Sequence, residues 1–237
     1  LDTQLKRLPH CGAKLRFTEN HDQPRTMKRF EGDETRFLAW SAFMAFLPGA
    51  HLVYAGQEAG SDHLPSLFDL DPVQWCPPDE DSVSQCDPGY GFPYSVFFSK
   101  LNTIKLEVAE LTHRSPGTRF AVMDAIPCLT AIWRGGNKAE SYLLLARLDD
   151  SLGASLPVPL KDGQYFNLLE DTQDGGAMPV QVSDGKMDLS YPCIVVAKAS
   201  QLKLGRMSPK VGWIEATNAE GSEASPDGAA DGLLAGA

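Results

Sequence analysis

A chain of 237 residues with 43% hydrophobic and 22% charged side chains has an ordinary globular balance, which excludes whole-chain disorder, a collagen-like fibre and a disulfide-dense miniprotein. Its 31 acidic and 21 basic side chains give a formal net charge of −10, and no basic stripe with interleaved aromatics occurs, so nucleic acid is not an expected partner. No apolar run approaches the ~18 residues that span a bilayer.

The chain begins at Leu1, and its length falls short of a complete (β/α)8 barrel with a companion domain, since such a barrel alone takes about 250 residues. It is therefore expected to be part of a longer polypeptide. Leu1, Leu5 and Leu8 read as the end of an amphipathic helix that Pro9 and Gly12 stop, and Ala13 to Phe17 read as a strand. After a polar loop, Asp33 is placed to cap a helix whose inward face is Phe37, Trp40, Met44 and Leu47, ended by Pro48-Gly49. A second buried strand is predicted from His51 to Ala55. From Gly56 to about Gly91 runs a loop rich in Pro, Asp, Ser and Gly, longer than a connector needs to be. The next helix carries the best periodicity in the chain, with Phe97, Leu101, Ile104, Val108 and Leu111 on one stripe.

Pro116-Gly117 marks a change of regime. Short strands are predicted at Arg119–Met123, Leu129–Trp133, Tyr142–Arg147, Leu156–Leu160, Tyr165–Leu168, Met178–Val182 and Cys193–Ala197, with turns at Gly135-Gly136-Asn137, Asp162-Gly163 and Asp184-Gly185. Strands at this spacing suggest a small antiparallel β-sandwich. The end, residues 201–237, is rich in Ala, Gly, Ser and Asp and reads as a disordered acidic tail; five acidic and no basic residues fall between Ile214 and Ala237. Cys11, Cys76, Cys86, Cys128 and Cys193 include no C-x-x-C pair and read as reduced thiols, with a Cys76–Cys86 pairing left open. That pattern leans toward the cytoplasm without assigning a compartment.

The first half thus alternates helix and strand, which calls for a parallel sheet covered by helices, yet two parallel strands cannot bury their own faces. The expected fold class is α/β. Residues 1–115 would be the last part of a (β/α)8 barrel, residues 116–200 an all-β antiparallel sandwich and residues 201–237 a tail, with the remaining strands upstream of Leu1.

The densest polar cluster, Phe17-Thr18-Glu19-Asn20-His21-Asp22-Gln23-Pro24-Arg25, directly follows the first strand, where parallel α/β folds hold their ligands. Taken by itself, the cluster reads equally as an Asx-type loop. It resembles the fourth conserved region of the α-amylase family, glycoside hydrolase family 13, in which an aromatic residue precedes Asn-His-Asp at the end of the seventh barrel strand. Pro48-Gly49-Ala50-His51-Leu52-Val53-Tyr54-Ala55-Gly56-Gln57-Glu58 is similar to the family's eighth strand and its exit. The helix with Leu101, Ile104 and Lys105 resembles the last barrel helix, and the β-rich segment sits where the family has its C-terminal β-domain.

The resemblance implies retaining hydrolysis or transfer on α-linked glucans, with an α-glucan or maltooligosaccharide as substrate. In such reactions two carboxyl groups about 5 Å apart act as nucleophile and as acid/base. Asp22 would be neither: it would be the third acid, a transition-state stabiliser that accepts hydrogen bonds from the distorted sugar. His21 would donate to the same sugar, Asn20 would hold the turn, and Arg25 would partner a neighbouring acid or a sugar hydroxyl. The Arg-x-Asp nucleophile region and the acid/base Glu are absent from the chain, so alone it is expected to be inactive. No metal site and no cofactor are expected in this segment, and the calcium that many relatives use would be held by the missing upstream loops. Ala55 and Gln57 stand where Tyr and Asp are commoner in the family.

Weaker candidates have plainer readings. Glu58 reads as a structural acceptor, His51 and His63 as satisfied histidines, and Trp75, Tyr90, Phe92 and Tyr94 as sugar-stacking or core aromatics. The alternative function is a non-catalytic carbohydrate-binding or protein-interaction module of amylase-like ancestry.

Overall fold

The structure is a computed structural model that describes residues 12–73, 93–123, 128–136, 140–148, 155–189 and 193–197. The expected Leu1–Leu8 helix, the aromatics Trp75, Tyr90 and Phe92, the cysteines Cys11, Cys76 and Cys86, and the acidic tail fall outside the described residues.

Strand β1 (Leu15–Arg16) pairs in parallel with β2 (Ala50–His51), Leu15 opposite Ala50 and Arg16 opposite His51. Between them lie a single helical turn, α1 (Thr26–Arg29), which the sequence reading missed, and helix α2 (Glu34–Phe46). Asp33 caps α2 as expected: its carboxylate accepts the Arg36 amide at 2.9 Å. The inward face differs from the predicted one. Phe37, Ala39, Ala42, Ala45 and Phe46 are buried, while Trp40 and Met44 are only half-buried. The physical reason is that α2 is covered on more than one side. Its small alanines let it lie close against the antiparallel sheet described next.

Helix α3 (Ser95–Arg114) buries Phe98, Leu101, Ile104, Val108 and Leu111. It leads into β3 (Arg119–Met123), β4 (Leu129–Arg134), β5 (Ser141–Ala146), β6 (Ser155–Pro157), β7 (Gly163–Asp171), β8 (Ala177–Ser183), β9 (Lys186–Asp188) and β10 (Cys193–Ala197). These eight strands form one antiparallel sheet in the order β3-β4-β5-β10-β7-β8-β9-β6. The expected two-sheet sandwich is therefore corrected to a single sheet that curls on itself. The cause is β10, which pairs with β5 on one side and β7 on the other and so joins the two halves into one ladder.

Alternation along β5 shows where the two cores lie. Tyr142, Leu144 and Ala146 point to the helices, in one cluster with Phe37, Phe98, Leu101 and Leu111. Leu143 and Leu145 point the other way, into a second cluster where Ile132 and Val196 meet Leu156, Val182, Met187 and Leu189 from the far end of the sheet. Across the curl, Arg134 Nη2 donates to Pro159 O at 2.7 Å. A bulge between Asn167 and Asp171 bends β7, and the buried Asn167 Oδ1 accepts the Leu169 and Val195 amides left over there.

Polar bonds fasten the helices to the sheet. Trp133 Nε1 donates to Phe46 O at 2.8 Å, satisfying a carbonyl at the end of α2. The buried Lys100 of α3 reaches Asp171 at 2.8 Å and Leu169 O at 3.2 Å. Ahead of the antiparallel sheet lie two short parallel strands and their helices; a closed barrel is not present among the described residues.

Candidate active site

The loop leaving β1 carries the polar cluster beyond the strand's carboxyl end. Asn20 Oδ1 accepts the Asp22 amide at 2.9 Å, and Asn20 O accepts the Gln23 amide at 3.3 Å, so Asn20 holds a turn that presents the next two side chains. His21 Nε2 lies 3.2 Å from Asp22 Oδ2, and the two side chains are 56% and 64% exposed. Both side chains lie in the loop just beyond the carboxyl end of β1.

Arg25 lies elsewhere. Its side chain is fully buried, as is that of Glu19, and Nη1 reaches Glu19 Oε1 at 2.8 Å. Nε donates to His63 O and Nη2 to Ala55 O, both at 2.8 Å, while the guanidinium stacks 4.5 Å from the centre of the Tyr54 ring. Glu19 Oε2 accepts the Thr26 amide at 2.7 Å. With every edge of the guanidinium engaged inside the protein, the sugar-contacting role entertained for Arg25 gives way to a positioning one. Its acidic partner is Glu19. The sequence signal for this pair was a lone acid and a lone base at the two ends of the Asn-His-Asp-Gln-Pro run. The clamp joins the loop after β1 to the backbone after β2.

The exit of β2 is built around three consecutive residues. Gly56 has φ +93°, and a Cβ there would meet Val73 Cγ1 at 2.8 Å and Arg25 Nη2 at 3.1 Å, so only glycine fits. Gln57, standing where the family more often has Asp, is buried; its Nε2 donates to Thr18 Oγ1 at 2.8 Å and its Oε1 accepts the Tyr54 amide at 3.3 Å. Glu58 Oε2 accepts the Gly56 amide at 3.1 Å, a local structural contact of the kind expected. Tyr94 packs against Phe37 with ring centres 5.0 Å apart, on the core side of its two readings.

Beyond this exit, the Asp71 carboxylate accepts the Ser66 amide at 2.8 Å and meets His63 Nε2 at 2.8 Å. The Ser66 amide, with His63 next, holds the Asp71 carboxyl below the usual carboxylate range. His63 is thus a loop brace. Behind the strands, desolvation, reinforced by the charge of Lys105, pushes His51 down to about 4, with the Asn102 side chain opposing. Lys105 is itself lowered to about 8 by burial and by Arg16, and its ammonium donates to Leu47 O. Among the described residues, no group of three or more His, Cys, Asp or Glu is placed to hold a metal ion, and no helix is long and apolar enough to cross a membrane. A cavity of ≈ 320 Å³ opens beside the loop, lined by Phe17, Thr18, Thr26, Arg29, Phe30, Trp40 and Met44, which accounts for the two half-buried side chains of α2.

A parallel β/α unit with an exposed Asn-His-Asp loop at its strand ends, followed by an antiparallel β-domain, is an arrangement found in glycoside hydrolases. Among solved structures the chain is similar to an α-amylase from Lactobacillus plantarum, at 26% identity and a TM-score of 0.60 over 83% of this chain and 40% of that one. It is also similar to a maltogenic α-amylase from Thermotoga neapolitana (18% identity, TM-score 0.47, 83% and 43% of the two chains). A third is the α-amylase of Geobacillus thermoleovorans, solved with acarbose (15%, TM-score 0.47, 78% and 38%). Of these three, only the first combines an identity above one quarter with a TM-score above one half. The chain spans about 40% of that enzyme's length. No family model and no curated protein sequence matches the chain. The resemblance to the α-amylase family read from the sequence is thus a resemblance of structure as well.

Proposed function

We propose that this chain is the C-terminal part of an α-amylase-type retaining glycoside hydrolase acting on α-glucosidic linkages, with the end of a (β/α)8 barrel at residues 1–115 and a β-domain after it. The observation that carries the reading is the exposed His21–Asp22 pair at the carboxyl end of a parallel strand, in a chain similar over 83% of its length to an α-amylase. A second feature supports it. Leu15 is 55% exposed on a strand of a two-stranded parallel ladder, although parallel strands are ordinarily covered on both faces, so further strands and their helices are called for.

In this reading Asp22 accepts hydrogen bonds from the hydroxyls of the sugar whose ring flattens as the glycosidic bond breaks. A fixed carboxylate beside a developing oxocarbenium ion interacts more strongly as the positive charge grows, so it lowers the barrel enzyme's barrier rather than merely tightening binding. His21, 3.2 Å from that carboxylate, orients it and donates to the same sugar. Asn20 keeps both in register through the turn, and the Glu19–Arg25 clamp fixes the turn to the exit of β2. Nucleophile and acid/base are supplied by residues outside this chain, and any calcium is held there too. The chain alone is inactive in this account.

The test is to follow a maltooligosaccharide with the full-length protein that carries this chain, reading the anomeric proton of the first product by NMR. Release of the α-anomer is expected. Release of the β-anomer would overturn the retaining mechanism, and no release would contradict the proposal and favour the non-catalytic carbohydrate-binding or protein-interaction module.

A further inference from the structure

We infer that the loop from Ser61 to Val73 is a second sugar-contacting wall beside the His21–Asp22 loop, and that Phe68 at its tip is a stacking platform for a glucosyl unit away from the bond being cleaved. The inference rests on the glucan-hydrolase reading and adds a specificity-determining residue to it. Phe68 is 95% exposed and Leu70 99%, among the most exposed large apolar side chains of the described residues. A floppy loop can tolerate such exposure, but this one is braced. Ser66 Oγ accepts the amides of Phe68 at 3.2 Å and Asp69 at 3.1 Å and donates to Asp69 Oδ2 at 2.9 Å, while Asp71 closes the base onto the Ser66 amide and the His63 ring. The backbone beneath the ring is therefore braced, so little loop entropy is lost when a ligand lies on it.

The braced loop is also tied to the candidate site. Arg25 Nε donates to His63 O at 2.8 Å, and the same guanidinium grips Glu19, three residues before Asp22. Both loops follow the carboxyl ends of the paired parallel strands, and Arg25 links the His63 end of one to the base of the other. Charge selects the occupant. Between Ser61 and Val73 lie Asp62, Asp69 and Asp71 and no Lys or Arg. An aromatic ring on a loop that carries three carboxylates and no Lys or Arg suits a neutral polyol, whose flat carbon-hydrogen face covers the ring; an anionic membrane or a polyphosphate would be repelled.

The experiment compares the full-length protein with its Phe68→Ala, Phe68→Trp and Asp22→Asn variants on maltooligosaccharides of increasing length. Phe68→Ala should raise KM about tenfold on the longer chains, much less on the shortest, with kcat held, and Phe68→Trp should restore the wild-type value. An unchanged KM at every length in Phe68→Ala, with Asp22→Asn inactive, would overturn this inference and leave the hydrolase reading intact. A clear fall in the melting temperature of Phe68→Ala would also overturn it, because the ring would then be packed against the rest of the protein. Full activity in both Phe68→Ala and Asp22→Asn would overturn the reading beneath it.

Discussion

Replacing Arg25 by Met keeps the volume and the aliphatic stem of the side chain but deletes the guanidinium. The Glu19 carboxylate, fully buried, would then retain only the Thr26 amide at 2.7 Å, and the carbonyls of Ala55 and His63 would lose donors that now sit at 2.8 Å. Breaking a buried ion pair from one side costs about 3–5 kcal/mol, because the remaining charge is stranded away from water. Each orphaned carbonyl adds a further ~1–3 kcal/mol where water cannot reach it. A domain's whole stability is only ~5–15 kcal/mol, so Arg25→Met should lower the melting temperature on the order of 10 °C or leave the region unfolded. Urea unfolding of the full-length protein measures the loss, and the Glu19→Gln, Arg25→Met double variant measures its origin. With no charge left to strand, the double variant should be more stable than Arg25→Met alone. A cost for Arg25→Met below about 1 kcal/mol, the range of exposed pairs, would refute the clamp.

Two further outcomes follow from neighbouring features. Gly56→Ala should destabilise by roughly 1–3 kcal/mol, since it combines a backbone at φ +93° with a Cβ 2.8 Å from Val73 Cγ1; a melting temperature equal to wild type would contradict the packing at the β2 exit. His51 titrates near 4 in the folded protein against an ordinary 6.5, so between those values the unfolded chain binds the extra proton and stability should fall as pH drops from about 6.5 toward 4. His51→Gln should flatten that slope in a urea titration, and an unchanged slope would remove His51 as its source.

Much of the helical part was legible because its signals are local. Asp33 announced the start of α2, Pro48-Gly49 its end, and the stripe from Leu101 to Leu111 gave the buried face of α3. Trp40 and Met44 were misplaced because periodicity names one face, whereas α2 is covered on several sides and spends its alanines, not its largest side chains, on the sheet. The strands were visible as runs, but their assembly was not. Whether Cys193–Ala197 closes one sheet or sits in a second depends on pairing with residues such as Leu143 and Asn167, far away in the chain, and β9 is too short to register by alternation. At the site, the Asn20–Asp22 turn could be read directly. The burial of Arg25 could not, since a charged residue beside a polar loop looks exposed until its partners from Ala55 and His63 arrive from the other strand.

The most direct test of the central claim is the turnover of a maltooligosaccharide by the full-length protein with Asp22 changed to Asn. A carboxylate whose hydrogen bonds strengthen only as charge develops should, when neutralised, cost roughly a hundredfold to a thousandfold in kcat while binding of the unreacted sugar is largely kept. A kcat near the wild-type value would take Asp22 out of the chemistry and, with it, the assignment of this loop as part of a glucan-cleaving site.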